Sequence, residues 1–220
     1  STNTKNWNIR VSAKSLSLAL GGYEAVKGAI LSRLMALNAI GPSRYDDATD
    51  SVINTPLERI SRFDYCFDFA MDSAFMPLPS AFVAHQRAKK HVYGEYLIYS
   101  ALNGDKVNTV RIGEMPGRQA TIYNKTKEIN SNAKQYWWDI WDIEPEPFKE
   151  GFKQIWRIEV RAGKGELDKW GFKRFKDFED KAGDVVASIL KAIRYTKPLK
   201  GDLNRSRWPM HPIWEKALKA

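Results

Sequence analysis

Apolar and polar residues alternate along several stretches of the chain, and this period of two predicts β-strands. The clearest stretches are residues 59–71, RISRFDYCFDFAM, and residues 153–163, KQIWRIEVRAG. In each of them aromatic and aliphatic side chains share one face and polar side chains share the other. The polar faces consist of Arg62, Asp64, Cys66 and Asp68 in the first stretch, and of Arg157, Glu159 and Arg161 in the second.

The remaining patterns predict further strands and several helices. Residues 91–114 predict two strands joined at Asn103-Gly104, a dipeptide typical of a tight hairpin turn. Residues 117–123, GRQATIY, predict another strand. Apolar residues at helical spacing predict a helix over residues 22–39 and mainly helical structure from residue 165 onward.

Four or five strands with short connections and flanking helices are typical of an α+β fold. We therefore expect a mostly antiparallel central sheet of about five strands, flanked by helices. The 220 residues contain no internal repeat and no low-complexity linker. A single domain is expected over residues 1–220, with its helical part at residues 165–220.

The charge balance favours an anionic partner. Lysine and arginine number 35 against 26 acidic residues, which gives a formal net charge of +9 and a pI near 9.5. Such an excess is typical of nucleic-acid binding. A membrane is not expected, because the sequence has neither an apolar stretch long enough to span a bilayer nor a lysine-rich amphipathic helix. The single cysteine, Cys66, excludes an internal disulfide and fits a reducing, cytoplasmic location.

The acidic residues of the two alternating stretches are candidate ligands for a divalent cation. Carboxylate oxygens from Asp64, Asp68 and Glu159 are of the type that Mg²⁺ and Mn²⁺ prefer. Asp64 and Asp68 lie four residues apart, roughly 13 Å along a strand, so at most one of them binds the ion directly unless a bulge bends the strand. The other is expected to orient a ligand or to pair with an arginine. The alternative is a polar face that is merely solvated, as is common in antiparallel sheets.

Tyr123 ends an apolar run and is followed at once by Asn124 and Lys125, and a helix is expected soon after it. A phenol with a pKa near 10 is about 0.1% ionised at pH 7, a deficit of ~4 kcal/mol for a nucleophile. A divalent ion and a nearby ammonium would offset that deficit. Lys125 shares the face of Tyr123 if the chain stays extended. The alternative is a half-buried tyrosine that only packs at a strand end.

Three segments resemble, in order and spacing, the replication initiation factor family, the rolling-circle initiators of small bacterial plasmids and their phage and conjugative-element relatives. They are RFDYCFDF, VRIGEMPGRQATIYNKTKE and IWRIEVRAGKGELDKW, within a motif core of about residues 59–171. The positions that carry the resemblance are Arg62, Asp64 and Asp68; Ile112 and Gly113; Tyr123, Asn124 and Lys125; and Trp156, Arg157 and Glu159.

The resemblance implies a relaxase-like or replication-nuclease-like fold and a metal-dependent, sequence-specific nick in one origin strand. It implies a covalent link of the DNA to Tyr123, with Lys125 and Arg157 stabilising charge around the phosphate. The implied cofactor is Mg²⁺ or Mn²⁺. The implied partner is single-stranded or hairpin origin DNA in a bacterial cytoplasm, with a helicase and a second copy of the chain as further candidates. A non-catalytic origin-binding or operator-binding protein of the same fold is the alternative.

The sequence departs from the better-known relaxases in its histidines. Those enzymes hold their metal with a His-apolar-His strand, whereas this chain has only His85, His91 and His211 and no such pair. An ion would therefore rest on carboxylates, with His91 as a further candidate ligand.

Basic and aromatic residues near the motifs are candidates for contacts with DNA. The candidate phosphate contacts are Arg62, Arg111, Arg118, Lys127 and Arg161. The tryptophan-rich segment 135–142, QYWWDIWD, has two interpretations. It either stacks on unpaired bases or covers the sheet as an apolar plug.

Overall fold

The computed structural model describes residues 9–39, 44–46, 51–53, 59–84, 98–103 and 106–220. The chain divides into two compact units, residues 1–58 and residues 59–220. All three motifs lie in the second unit. The expectation of a single domain over residues 1–220 stays a prediction.

The first unit contains one long helix and a short pair of strands. Helix α1 (Ser15–Ala36) is interrupted at Gly22, which has a φ of 72°. Glycine adopts this left-handed backbone conformation without the steric strain that a Cβ atom would cause. The predicted helix over residues 22–39 therefore continues a preceding segment across a kink, and it ends at Ala36. Strands β1 (Arg44–Asp46) and β2 (Ser51–Ile53) pair antiparallel.

The second unit is built on a five-stranded antiparallel sheet. The described strands of this unit are β3 (Arg62–Asp72), β4 (Phe82–Ala84), β5 (Ile98–Asn103), β6 (Lys106–Gly113), β7 (Arg118–Asn124), β8 (Lys153–Gly163) and β9 (Ile193–Tyr195). The sheet has the order β3-β8-β7-β6-β5, and every neighbouring pair is antiparallel. Strands β4 and β9 form a separate antiparallel pair. The predicted α+β class and the sheet of about five strands are confirmed.

The α-helices described in the second unit all come after β7 in the chain, three of them before β8, two between β8 and β9, and one after β9. They are α2 (Lys125–Ser131), α3 (Tyr136–Trp141), α4 (Glu146–Lys149), α5 (Lys164–Leu167), α6 (Phe175–Ala192) and α7 (Pro212–Lys219). The C-terminal part is mainly helical, as predicted. The prediction of helical structure is wrong at Ile193–Tyr195, which is extended and pairs with β4. Long-range strand pairing overrides the local helical preference there.

The two faces of the sheet carry different layers. The apolar face packs Trp156, Ile158 and Val160 of β8 into the main core with α6 and α7. Over one end of the polar face lies a smaller cluster, the tryptophan cluster, which comprises Ile129, Trp137, Trp138, Phe148 and Ile155. Segment 135–142 is thus an apolar cover on the sheet, the second of its two interpretations. In the described ranges no helix is long and apolar enough to cross a membrane.

Candidate active site on the polar face of the sheet

Strand register brings the three motifs together in rows across the polar face. Tyr123 of β7 lies opposite Arg157 of β8, and Arg157 lies opposite Asp68 of β3. Direct cross-strand partners have Cβ atoms about 4.5–5.5 Å apart. Tyr123 is half-buried, stands on the charged face beside an arginine, and belongs to neither of the two apolar clusters. Its role as a nucleophile stays a prediction.

The neighbouring row places the glutamate of the third motif at the centre of the face. Glu159 is aligned with Cys66 of β3 on one side and with Thr121 of β7 on the other, and Thr121 is aligned with Arg111 of β6. Glu159 is diagonal to Tyr123, a separation of about 7–8 Å that an aromatic side chain bridges. The buried Thr121 hydroxyl has no hydrogen-bond partner among the residues that the structure describes.

The third row is a chain of ion pairs. Asp64 lies opposite Arg161, which lies opposite Gln119. Arg161 contacts two carboxylates, with its Nε 3.6 Å from Asp64 and hydrogen-bonded to Glu159. Arg62 donates to Asp64 from Nε, at 2.7 Å, and from Nη2. Asp64 is thereby paired with Arg62 and Arg161, and Glu159 of the neighbouring row is paired with Arg161.

Asp68 is bound by Arg157 in a bidentate ion pair. Arg157 donates from Nε and Nη2 to the two oxygens of Asp68, at 2.6 and 2.7 Å. The Arg157 side chain is only 6% exposed and that of Asp68 is 22% exposed. The indole N–H of Trp141 also donates to Asp68, at 3.2 Å. Two planar groups bonded edge to edge resist rotation, so Arg157 is held in one orientation.

The environment of Tyr123 does not by itself favour the phenolate. Burial raises the pKa of the Tyr123 phenol well above its ordinary value, Arg157 opposes that shift, and Glu159 adds to it. The deficit for forming a nucleophile at neutral pH is therefore larger than in a free tyrosine. Attack by this oxygen requires a proton acceptor or a further cation in addition to Arg157.

The residues after Tyr123 turn directly into a helix. Asn124 caps α2, because its Oδ1 accepts the backbone N–H of Lys127 at 3.0 Å, and its Nδ2 donates to Gln154 at 2.7 Å. Lys125 is the first residue of α2 and is buried in an ion pair with Glu128. The chain is thus not extended at Lys125, and the premise that placed its ammonium beside Tyr123 is wrong.

The predicted metal ligands do not form one cluster. No group of three His, Cys, Asp or Glu side chains in the described part of the chain is arranged to hold a metal ion. Both oxygens of Asp68 are bound by the buried Arg157, and both oxygens of Asp64 are likewise bound by Arg62, whose side chain is 41% exposed. Asp64 and Glu159 are carboxylates of the type that a divalent ion prefers, and they would hold such an ion if the arginines that now bind them, Arg62 and Arg161, turned away. Metal binding by this pair stays a prediction.

The candidate DNA contacts divide between the two faces. Arg62, Arg111 and Arg161 lie on the polar face by register. Arg118 does not, because it aligns with the core residue Ala162 and its guanidinium lies 4.0 Å from the buried Glu166. Lys127 lies in the first turn of α2.

Of the three histidines, only His211 lies in the described residues. It caps α7 by accepting the backbone N–H of Ile213 at 3.3 Å, and its ring lies against Tyr195. His85 and His91 lie outside the described residues, as does Gly104 of the predicted hairpin turn.

The solved structure of the rolling circle replication initiator protein from Geobacillus stearothermophilus is similar to this chain, with a TM-score of 0.40 and 16% sequence identity. The similarity covers 73% of this chain and 55% of that protein, so the chain spans about half of the initiator's length. A TM-score this low carries no argument about function. No family model and no curated protein matches the chain.

Sequence reasoning missed the residues that fix Arg157. The rings of Trp137 and Trp141 reach the row of Tyr123 from α3, a separate helix. The sequence shows the aromatic content of segment 135–142, but the hydrogen bond from Trp141 to Asp68 follows from tertiary packing alone. Gln119 was missed as well, although it lies on the strand of Tyr123 at a spacing of four and accepts a hydrogen bond from Arg161 at 3.2 Å.

Proposed function

We propose that this protein is a metal-dependent endonuclease and strand transferase that nicks one strand of an origin to start rolling-circle replication. One observation carries the proposal. Tyr123 comes from the second motif of the resemblance and Arg157 and Glu159 come from the third, and they lie in adjoining rows on one charged face of the sheet. A net charge of +9 supports a nucleic-acid substrate.

The proposed reaction is a transesterification at a DNA phosphate. The phenolic oxygen of Tyr123 attacks phosphorus, the bond from phosphorus to the 3′ oxygen breaks, and a 5′-phosphotyrosine link forms. The phenolic proton passes to a base, for which Glu159 is the nearest carboxylate by register. The departing 3′ oxygen takes up a proton and remains as a hydroxyl, which reverses the reaction by attacking the same phosphorus.

Positive charge on the face has two tasks in this scheme. Arg157 stabilises the charge that develops beside Tyr123, and Arg62, Arg111 and Arg161 hold flanking phosphates. A divalent ion bound by Asp64 and Glu159 would supply Lewis-acid activation of the phosphate. Lys125 contributes only indirectly to this stabilisation, because its ammonium is paired with Glu128. Origin DNA, single-stranded or in a hairpin, is the proposed substrate, and a helicase, a second copy of the chain and a cytoplasmic setting belong to the same proposal.

The decisive experiment detects the covalent adduct. A library of single-stranded DNA with a randomised central segment, labelled at the 3′ end, is incubated with the protein and Mn²⁺ and separated under denaturing conditions. A 5′-phosphotyrosine link leaves the 3′ label on the protein, whereas a 5′ label is lost with the released fragment. Sequencing the captured DNA identifies the preferred site.

The matched control uses a tyrosine on the other face of the sheet. Tyr65 of β3 is 45% exposed and faces away from the charged rows. Tyr123→Phe is expected to abolish the adduct and to keep DNA binding, whereas Tyr65→Phe keeps both. Adduct formation by Tyr123→Phe at the wild-type rate contradicts the proposal.

A second function, DNA binding without cleavage, is supported by two observations on the same face. Burial raises the pKa of Tyr123, and both oxygens of Asp68 are hydrogen-bonded by Arg157. Tight, salt-dependent binding of the DNA library, with no adduct at any Mn²⁺ concentration, establishes this function instead.

A further inference from the structure

Helix α3 reaches the row of Tyr123 through two tryptophans. The ring of Trp137 lies 4.7 Å from the guanidinium carbon of Arg157 and 4.8 Å from the ammonium of Lys125. Trp141 donates its indole N–H to the carboxylate of Asp68 that binds Arg157. Arg157 is thus enclosed by an aromatic face on one side and by a carboxylate on another, and that carboxylate is itself held in place.

These contacts use only part of the donor capacity of Arg157. A guanidinium has five N–H groups, of which the bidentate pair with Asp68 uses one on Nε and one on Nη2. No acceptor in the described ranges hydrogen-bonds Nη1. Because Tyr123 is the cross-strand neighbour of Arg157 on the side away from Asp68, donors of the guanidinium remain for an anion near the phenol.

Held side chains act more effectively than mobile ones. An arginine loses rotamer freedom when it is fixed, and in the folded protein Asp68 and α3 have already fixed Arg157. A charge positioned in a water-poor setting stabilises developing negative charge without reorganising at the moment of reaction. The tryptophan cluster therefore not only buries apolar surface but also restricts the side chain of Arg157.

We propose that Asp68, Trp137 and Trp141 are positioning residues, which hold the guanidinium of Arg157 toward Tyr123 so that it receives the negative charge of the transferring phosphate. This inference rests on the proposed function. It gives Asp68 the task of anchoring an arginine, in place of the predicted task of holding a metal, and it makes α3 part of the active site.

Trp141→Phe is the test, because it keeps a ring in place and removes only the N–H that binds Asp68. Trp138→Phe is the matched control. Trp138 lies on the same helix and its indole N–H donates to Gln135 at 2.8 Å, away from Arg157. Both changes remove one indole N–H donor, and Trp138 is the more deeply buried of the two, so a loss of stability alone would affect Trp138→Phe at least as much as Trp141→Phe.

Three measurements separate positioning from folding. In single-turnover reactions with the captured DNA, Trp141→Phe is expected to slow adduct formation on the order of ten-fold relative to Trp138→Phe, with the DNA dissociation constant unchanged. The limb of its pH–rate profile that rises with pH is expected to move to higher pH. Arg157 opposes the rise in the pKa of Tyr123, and a less firmly held Arg157 opposes it less. In nitrogen-15 NMR spectra the Arg157 Nε–H signal, assigned by its loss in Arg157→Lys, is expected to exchange faster with solvent in Trp141→Phe only.

The outcomes distinguish this inference from the proposed function. If the wild-type protein forms the adduct and the two tryptophan variants react at the same rate, the positioning inference is wrong and the proposed function stands. If the wild-type protein forms no adduct with any member of the library, the proposed function fails and the inference fails with it. A slower reaction of Trp141→Phe at unchanged DNA affinity, together with faster exchange of the Arg157 signal, supports it.

Discussion

The ion pair between Asp68 and Arg157 makes a sharp prediction about Asp68→Asn. The substitution keeps the shape of the side chain and removes its charge, so a guanidinium that is 6% exposed loses its counter-ion. Removing one partner of a fully buried pair costs about 3–5 kcal/mol. Because the Asp68 side chain is 22% exposed, water compensates in part, and we expect the free energy of unfolding to fall by about 2–3 kcal/mol.

The assay is equilibrium unfolding in urea, in the presence of a chelator and again with excess Mn²⁺. Asp72→Asn is the control, since Asp72 is an exposed carboxylate at the end of the same strand. An aspartate that anchors an arginine gives the same loss of stability in both conditions. A metal ligand behaves differently, because its loss is nearly neutral without metal and removes the stabilisation that bound metal provides.

Two results would refute this reasoning. One is a free energy of unfolding for Asp68→Asn that equals that of Asp72→Asn in chelator. The other is a loss of stability that appears only with Mn²⁺. The double variant Asp68→Leu with Arg157→Met provides a further check, because removing both charges restores much of what one substitution loses.

Three further predictions concern local structure. Asn124→Ala removes the cap of α2 and a hydrogen bond to β8, so we expect unfolding in urea to show a loss of about 1–2 kcal/mol, smaller for Asn124→Asp, which keeps the cap; equal losses would contradict this. Backbone N–H groups at the start of α6 lower the pKa of the Asp177 carboxyl to about 2, so its stabilisation is complete above the unfolded pKa of about 3.9 and is lost as the pH falls toward the folded value. The stability difference between wild type and Asp177→Asn is therefore expected to shrink over that interval, and a difference independent of pH would refute it. Gly163→Ala places a Cβ 2.4 Å from a backbone carbonyl oxygen and is expected to lower the thermal midpoint, whereas Gly183→Ala in α6 meets nothing within 4 Å and is expected to stabilise by about 0.5–1 kcal/mol; a reversed order of the two midpoints would be inconsistent with the packing around residue 163.

Alternation along the chain was sufficient to predict which side chains share a face. Asp64 and Asp68 fall on one side of β3, and Arg157 and Glu159 fall on one side of β8, because successive side chains of a strand point to opposite faces whatever the strand pairs with. The helix after Tyr123 was likewise predictable, since Asn124 is a good capping residue at its start. Both the alternation of side chains and the helix cap depend on residues that are close in sequence, so the sequence alone is enough to predict them.

Strand order and side-chain pairing required the folded chain. Strand β8 lies between β3 and β7, and this long-range arrangement alone puts Arg157 between Asp68 and Tyr123. The same holds for Trp141, which reaches Asp68 from another element. A carboxylate binds whichever partner tertiary packing brings within hydrogen-bonding distance, and that distance is a property of pairs remote in sequence.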